Sequence, residues 1–155
     1  MSEHDKCLAS AKKTLAMREH SKFQITNKLT NKGFGSDTIN DVLEELIKSK
    51  FLSDERYTEE YIRYKQNSGY GSKKIIYELK SNGISAELIS VNLHKFTDDF
   101  DILFEFAKYK THDKNLDDQK ILMKYMNNFK ARGFDSSIIL KAVSYTHLRA
   151  HETIP

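Results

Sequence analysis

A glycine recurs every fifty residues in this chain, at Gly33, Gly83 and Gly133, and Phe or Ile follows it each time. Apolar residues keep matching positions on both sides of each glycine. The three matched sets are Ile25, Leu29, Gly33, Phe34, Ile39 and Leu43; Ile75, Leu79, Gly83, Ile84, Ile89 and Leu93; and Tyr125, Phe129, Gly133, Phe134, Ile139 and Val143. A fixed period of this length indicates tandem copies of one small structural repeat.

Each repeat has the residue spacing of helices. Apolar side chains step by three and four, and the only proline is the last residue, so helices can run without interruption. Each periodic glycine is predicted to end a helix, because glycine adopts the left-handed backbone conformation without steric cost. Ser36, Ser85 and Asp135 are placed to cap the helix that follows, and Ser21 with Gln24 fits a capping box.

Apolar residues upstream of each helix pair predict a third helix in every repeat. They are Leu8, Ala11 and Leu15; Tyr57, Tyr61 and Tyr64; and Phe100, Leu103, Phe104 and Ala107. We therefore predict an all-α fold of three tandem three-helix repeats, at residues 1–50, 51–97 and 98–146, that form an elongated, curved array. For the tyrosines, helical spacing favours packing in the core, with base stacking as the alternative.

The last stretch, "SYTHLRAHETIP" at residues 144–155, breaks the pattern. It contains the only proline and no apolar stripe. We interpret 144–155 as a non-native or disordered tail, and we expect the last helix to end near Val143.

The composition limits the classes of function. Apolar runs are short and no secretory signal is visible, which predicts a cytoplasmic protein without membrane association. Cys7 is the only cysteine, so it cannot form an intramolecular disulfide. No nucleophile, base and orienting group recur near one another, so we expect neither enzymatic activity nor a cofactor. His147 and His151 lie four residues apart without further clustered ligands, so no metal site is expected.

Charge is segregated along the chain. Residues 12–32 carry six Lys or Arg side chains against one acidic residue, and residues 98–105 carry four acidic residues and no basic one. This segregation favours a basic stripe that binds DNA or an acidic protein groove, while matching of helix dipoles is the alternative. Within it, "GYGSKK" at 69–74 is either an anion site at a helix N-terminus or a simple turn between helices.

The stretch "FLSDERYTEEYIRYKQNSGYGSKKIIYELKSNGIS", which begins at Phe51, resembles the RecX family. The resemblance lies in the Asp-Glu-Arg-aromatic run, the Gly-Tyr-Gly turn and the Gly83–Ile84 pair. The segment "AMREHSKFQITNKLTNKGF" in the first repeat is similar to the opening of that family. The family's three tandem three-helix repeats agree with the repeat seen in the sequence.

The resemblance implies a monomeric, non-catalytic regulator that binds the RecA recombinase and its nucleoprotein filament. Such a protein would limit filament growth, ATPase, strand exchange and co-protease activity, with single- or double-stranded DNA as a further partner. The candidate contact residues are Arg18, Lys22, Arg63, Lys65, Lys73 and Lys74. The alternative is a free-standing helical DNA-binding protein of the helix-turn-helix type. Acidic or neutral third helices in the first two repeats argue against base reading.

Overall fold

The computed structural model describes the backbone of residues 1–152 and the side chains of residues 1–148, and in this part of the chain it contains helices and no strand. The helices are α1 (Glu3–Met17), α2 (Lys22–Asn31), α3 (Ser36–Lys48), α4 (Asp54–Asn67), α5 (Ser72–Ser81), α6 (Ala86–Asn92), α7 (Asp99–Thr111), α8 (Gln119–Ala131) and α9 (Ser136–Glu152), with a 3-10 turn at Leu93–Lys95. The predicted all-α fold of consecutive three-helix repeats is confirmed. None of the described helices is both long and apolar enough to cross a bilayer.

The periodic glycines end helices, as predicted. Gly33, Gly83 and Gly133 have φ values of +93°, +83° and +96°, which lie in the left-handed region. The residue after the glycine folds back onto the helix, since the Phe34 amide donates to the Leu29 carbonyl at 3.3 Å. Each glycine therefore stops α2, α5 or α8 and turns the chain toward the next helix.

Two of the predicted helix caps are confirmed and one is wrong. The capping box at Ser21 is present, and the Ser85 hydroxyl accepts an amide of α6. Ser36 does not cap α3, because the helix begins one residue earlier than expected. Gly35 is the N-cap without a side-chain hydrogen bond, and its own amide donates to Glu3 Oε1 at 3.0 Å. The cap at Asp135 stays a prediction.

The chain divides into two compact units. Unit 1 comprises Met1–Tyr61 and Glu78–Leu93, and unit 2 comprises Ile62–Tyr77 and the chain from His94 onward. The division passes through α4 and α5, so the helices of the second repeat contribute to both units. The repeat boundaries at 50 and 97 stay predictions.

Each unit has its own hydrophobic core. The core of unit 1 joins α1, α2 and α3 and consists of Cys7, Ala11, Ile25, Leu29, Ile39, Val42, Leu43, Leu46 and Leu52. The core of unit 2 joins α7, α8 and α9 and consists of Leu103, Ala107, Leu116, Phe129, Phe134, Ile139, Ala142 and Val143. Burial of each large aliphatic side chain contributes about 1.5–3 kcal/mol to the free energy of folding, so these clusters hold the helices of each unit together.

The three tyrosines of α4 have different environments. Tyr57 is buried and its ring stacks on that of Tyr61 at 5.5 Å between centroids. Tyr64 is 66% exposed, so the prediction of a core position is wrong for it. The buried face in the second half of α4 runs instead through Ile62 and Gln66.

Helix α9 continues into the stretch that we expected to be non-native or disordered. Residues 144–152 are helical, and Thr146 is buried and donates to the Ala142 carbonyl at 2.7 Å. The Tyr145 ring contacts Phe100 edge to face. These contacts contradict disorder and a helix end near Val143. A non-native origin stays a prediction, and residues 153–155 lie outside the described residues.

Candidate functional site

The six predicted contact residues fall in different places. Arg18 and Lys22 belong to unit 1, and the other four belong to unit 2. Of the four, Lys65 and Lys74 lie against one aromatic ring, that of Tyr70. The structure therefore gathers two of the six predicted residues at one site.

The Tyr70 ring is the centre of this site. Tyr70 follows Gly69, which has a φ of +83°, and its amide donates to the Lys65 carbonyl at 3.0 Å. The turn folds the ring back so that Lys65 Nζ lies 4.0 Å and Lys74 Nζ 5.7 Å from its centroid. Arg132 Cζ lies 4.5 Å from the same centroid. Cations at these distances are attracted to the electron-rich face of a ring.

Arg132 is the residue that the sequence reasoning missed. Its guanidinium also lies 4.2 Å from the centroid of Phe106, and its Nη1 donates to the carbonyls of Ser68 and Gly69 at 2.9 and 3.3 Å. Two rings and the carbonyl end of α4 thus fix the orientation of the group. The sequence feature that could have identified Arg132 is its place directly before Gly133. We call Lys65, Tyr70, Lys74, Phe106 and Arg132 the Tyr70 cluster.

Glycines allow the two turns behind the Tyr70 cluster to meet backbone to backbone. The Gly71 amide donates to the Arg132 carbonyl at 2.8 Å. A Cβ atom on Gly71 would lie 2.6 Å from the carbonyl carbon of Gly133, and one on Gly69 would overlap the Phe106 ring. Contacts this short exclude any side chain, so the position of Arg132 depends on these glycines.

The N-terminus of α5 is occupied by a carboxylate of the protein itself. The Ser72 amide and hydroxyl donate to the two carboxylate oxygens of Asp99 at 3.0 and 2.6 Å. The interpretation of "GYGSKK" as an anion site is therefore wrong, and the alternative of a turn between helices is correct. Lys73 extends away and pairs with Asp135 at 2.5 Å, and this hydrogen bond raises the pKa of Lys73.

Arg18 and Lys22 lie in unit 1 and have different hydrogen-bond partners. Arg18 Nη1 donates to the Glu19 carbonyl at 2.8 Å. Lys22 is exposed, and its amide donates to Asp54 Oδ1 at 2.7 Å. Its side chain lines a cleft of about 430 Å³ together with Ile47, Lys50, Leu52, Ser53, Asp54 and Arg56. This cleft is basic but contains no aromatic ring among its described lining residues.

Unit 1 has a polar network of tyrosines. Asn82 Nδ2 donates to the Tyr57 hydroxyl at 2.8 Å, and the Tyr61 hydroxyl donates to Glu78 Oε1 at 2.8 Å. Burial, together with the hydrogen bond to the Glu78 carboxylate, raises the pKa of Tyr61. Burial also raises the pKa of Tyr57. Both hydroxyls are therefore protonated at neutral pH and act as structural hydrogen-bond groups.

Cys7 and His147, which could support nucleophilic or metal chemistry, are buried and paired, respectively. Cys7 is fully buried, and burial raises its pKa, which disfavours the reactive thiolate. His147 Nε2 lies 2.9 Å from Asp117 Oδ1, and the side chain of His151 lies outside the description. In the part of the chain that the structure describes, no three His, Cys, Asp or Glu side chains are grouped to hold a metal ion.

These features define a class: a helical protein of tandem three-helix domains with a basic and aromatic surface. Two family models match, the first three-helix domain of RecX over residues 7–46 and the second over residues 53–91. The regulatory protein RecX of Legionella pneumophila strain Corby is 33% identical over 138 residues, which cover 88% of this chain and 91% of the relative. That of Haemophilus ducreyi is 31% identical over 122 residues, or 77% and 79% of the two chains.

A solved structure agrees at the level of the fold. The crystal structure of RecX from Lactobacillus salivarius superimposes with a TM-score of 0.74 at 21% identity and covers 94% of this chain and 97% of the other. The chain belongs to the RecX family of regulatory proteins.

Proposed function

We propose that this chain is a negative modulator of the RecA recombinase. It binds RecA and its nucleoprotein filament, and it limits filament growth, ATPase, strand exchange and co-protease activity. The observation that carries the proposal is the Tyr70 cluster, found in a member of a family of regulatory proteins. We further propose that the protein acts as a cytoplasmic monomer without catalytic activity or a cofactor of its own.

The Tyr70 cluster suits a partner that presents carboxylates or phosphates. Arg132 is held by two rings and two carbonyls, so little side-chain entropy is lost when its remaining N–H groups bind an anion. The ammonium groups of Lys65 and Lys74 lie on the same ring and add positive charge. Ordered arginine and aromatic side chains are the groups that most often dominate binding energy at protein interfaces.

The other candidates have peripheral roles in this proposal. Arg63 is exposed on α4, Lys73 is paired with Asp135, and Arg18 and Lys22 lie in unit 1. Exposed cations of this kind raise association rates and bind phosphates weakly, in a manner that salt screens. Contact with single- or double-stranded DNA would show the steep salt dependence of counterion release.

The test follows ATP hydrolysis by RecA on single-stranded DNA. The wild-type protein should lower the rate, and the double variant Lys65→Glu/Lys74→Glu should lower it much less. The matched control is Lys120→Glu/Lys124→Glu, which makes the same charge change on α8 outside the Tyr70 cluster. Circular dichroism of both variants checks that the helices remain.

Two outcomes would contradict the proposal. A wild-type protein without effect on RecA would remove the function, and equal loss in both double variants would remove the role of the Tyr70 cluster. If the protein binds DNA equally strongly with and without RecA, and leaves the RecA ATPase unchanged, the result would instead favour the free-standing DNA-binding protein. The acidic side chains exposed on α3 (Asp37, Asp41, Glu44 and Glu45) disfavour that alternative.

A further inference from the structure

The three glycine turns have the same backbone conformation but differ in what covers them. A Cβ atom on Gly83 would lie 2.8 Å from Phe23 Cγ, and one on Gly133 would lie 2.5 Å from Lys74 Cβ. A Cβ atom on Gly33 would meet no heavy atom within 4 Å among the described residues. Two of the turns are thus covered, and the Lys32–Phe34 turn is open.

The cover of both closed turns is the N-terminus of a helix. In unit 1, the Ser21 hydroxyl at the start of α2 donates to the Asn82 carbonyl at 2.7 Å. In unit 2, the Gly71 amide at the start of α5 donates to the Arg132 carbonyl at 2.8 Å. In each case the acceptor is the carbonyl directly before the periodic glycine. The glycine turn is therefore a surface that receives helix starts.

The open turn retains the features of that surface. Phe34 is only half-buried, whereas Ile84 and Phe134 at the matching positions are 4% and 3% exposed. Within residues 1–152, no hydrogen bond reaches the carbonyl of Lys32. Lys28 and Lys32 are exposed beside it, and Lys32 Nζ contacts only the neutral Ser10 hydroxyl, at 2.6 Å, among the described residues. An apolar side chain, a carbonyl acceptor and two cations are thus available together.

The start of α8 in a second copy does not supply the complement. The two starts that cover turns belong to α2 and α5, the second helices of their repeats, and the matching helix of the third repeat is α8. Its start is capped by Asp118, whose Oδ1 accepts the amides of Lys120 and Ile121 at 2.9 and 3.3 Å. A carboxylate can accept hydrogen bonds but cannot donate the bond that the Ser21 hydroxyl makes. The fitting occupant is a helix start with a hydroxyl donor, which α8 lacks.

We propose that the Lys32–Phe34 turn docks the N-terminus of a helix from the partner protein. That helix has Ser or Thr at its N-cap to donate to the Lys32 carbonyl, and an apolar side chain to cover Gly33 and Phe34, as Phe23 covers Gly83. Acidic residues, which are favoured in the first turn of a helix, pair with Lys28 and Lys32. The inference rests on the proposed function in taking RecA as the partner.

Photo-crosslinking at one residue tests the inference. The variant Lys32→Cys is labelled with a benzophenone maleimide and mixed with RecA filaments on single-stranded DNA. Native Cys7 is fully buried, so the label reacts at the new cysteine. The control is Lys48→Cys, an exposed lysine in the last turn of α3 in the same unit. We expect cross-links to a helix start of RecA from position 32, several-fold above those from position 48.

A steric block separates this inference from the proposed function. A polyethylene glycol maleimide attached to the Lys32→Cys variant should reduce its inhibition of the RecA ATPase, while the same group on the Lys48→Cys variant should not. If the wild-type protein inhibits RecA but both conjugates inhibit equally, the docking surface is refuted and the proposed function stands. Cross-links between two copies of this chain would also refute it. A wild-type protein without effect on RecA would remove both.

Discussion

Units 1 and 2 each hold a helix start on a glycine turn, and they do so with different groups. In unit 1 the donor is the Ser21 hydroxyl and the covering group is the Phe23 side chain. In unit 2 the donor is the amide of Gly71, and the covering atoms include the backbone of Lys74. The acceptor carbonyl precedes the periodic glycine in both. The fifty-residue repeat thus preserves a position in space while the chemistry at that position changes.

A second contact repeats in the same way. Asp54 at the start of α4 accepts the amide of Lys22, and Asp99 at the start of α7 accepts the amide of Ser72. Carboxylates at the N-termini of α2 and α5 satisfy free amides and match the positive end of the helix dipole. These helix starts are therefore capped from outside, and they are not available to external anions.

Beside these shared contacts the units diverge in charge. Near the Gly83 turn, unit 1 places the hydroxyls of Tyr57 and Tyr61, which are neutral. Unit 2 places the guanidinium of Arg132 between Tyr70 and Phe106. A network in which hydroxyl, amide and carboxylate groups bond to one another stabilises a core, whereas an oriented cation can also bind a partner. This difference is why we assign the binding role to unit 2.

The largest expected effect comes from replacing the periodic glycines by alanine. All three have positive φ, so each replacement costs about 1–2 kcal/mol of left-handed strain. In Gly133→Ala the new Cβ also overlaps the backbone of Lys74, which adds about 1–3 kcal/mol of overpacking. Urea denaturation should rank the variants Gly133→Ala, Gly83→Ala and Gly33→Ala from most to least destabilised.

Gly33→Ala is the matched control in this series, because it carries the strain without the overlap. Equal losses of unfolding free energy in all three variants would show that the turns at Gly83 and Gly133 are no more closely covered than the turn at Gly33. Gly83→Ala should fall between the two, since its new Cβ meets only side-chain atoms of Phe23, whereas that of Gly133→Ala also meets backbone atoms of Lys74.

The features that were predicted correctly from the sequence depend on residues close together in the chain. Helix stops at the glycines and the capping box at Ser21 follow from backbone sterics and hydrogen bonds over a few positions. Arg132 was missed because its contacts join it to Ser68 and Gly69, more than sixty residues away. Such contacts require the packing of whole helices to be known.

The site was predicted in part for the same reason. Lys65 and Lys74 were chosen by charge, and the structure places both on the ring of Tyr70. Charge alone could not show that Lys73, one residue away, pairs with Asp135. Nor could helical spacing show that the buried face of α4 shifts away from Tyr64.

The next effect in size is expected from Arg132→Ala. The change removes stacking on two rings, worth about 0.5–1 kcal/mol each, and hydrogen bonds worth about 1 kcal/mol net. We therefore expect a loss of about 2 kcal/mol in unfolding free energy, measured by urea denaturation. Arg132→Lys keeps the charge but not the planar group, and it should restore only part of the loss. Full restoration by lysine would mean that stacking geometry does not matter.

A smaller effect concerns pH and the network of unit 1. Because burial and the Glu78 carboxylate raise the pKa of Tyr61, the folded state holds this proton more tightly than the unfolded state does. The resulting stability is present below about pH 10, the unfolded value, and is lost as pH rises toward the folded pKa. Tyr61→Phe should therefore flatten the fall in stability above about pH 10.

The control for this prediction is Tyr109→Phe, since Tyr109 is 72% exposed. In the ultraviolet absorbance of tyrosinate, Tyr61→Phe should remove one of the two tyrosines with a raised pKa and leave Tyr57, whereas Tyr109→Phe should remove neither. A Tyr61→Phe protein with the same alkaline loss of stability as the wild type would assign that loss to other groups.

The smallest effect is expected at Lys73, and it sharpens the contrast within unit 2. Lys73 and Asp135 form an exposed pair, and such pairs add little to stability because solvent screens them. Lys73→Gln should leave the urea midpoint unchanged and should inhibit RecA nearly as well as the wild type, because the ammonium group is already paired. Lys74→Gln removes a cation from the Tyr70 ring and should weaken inhibition measurably. If Lys73→Gln weakens inhibition more than Lys74→Gln does, the partner binds the outer lysines, and the Tyr70 cluster has only a structural role.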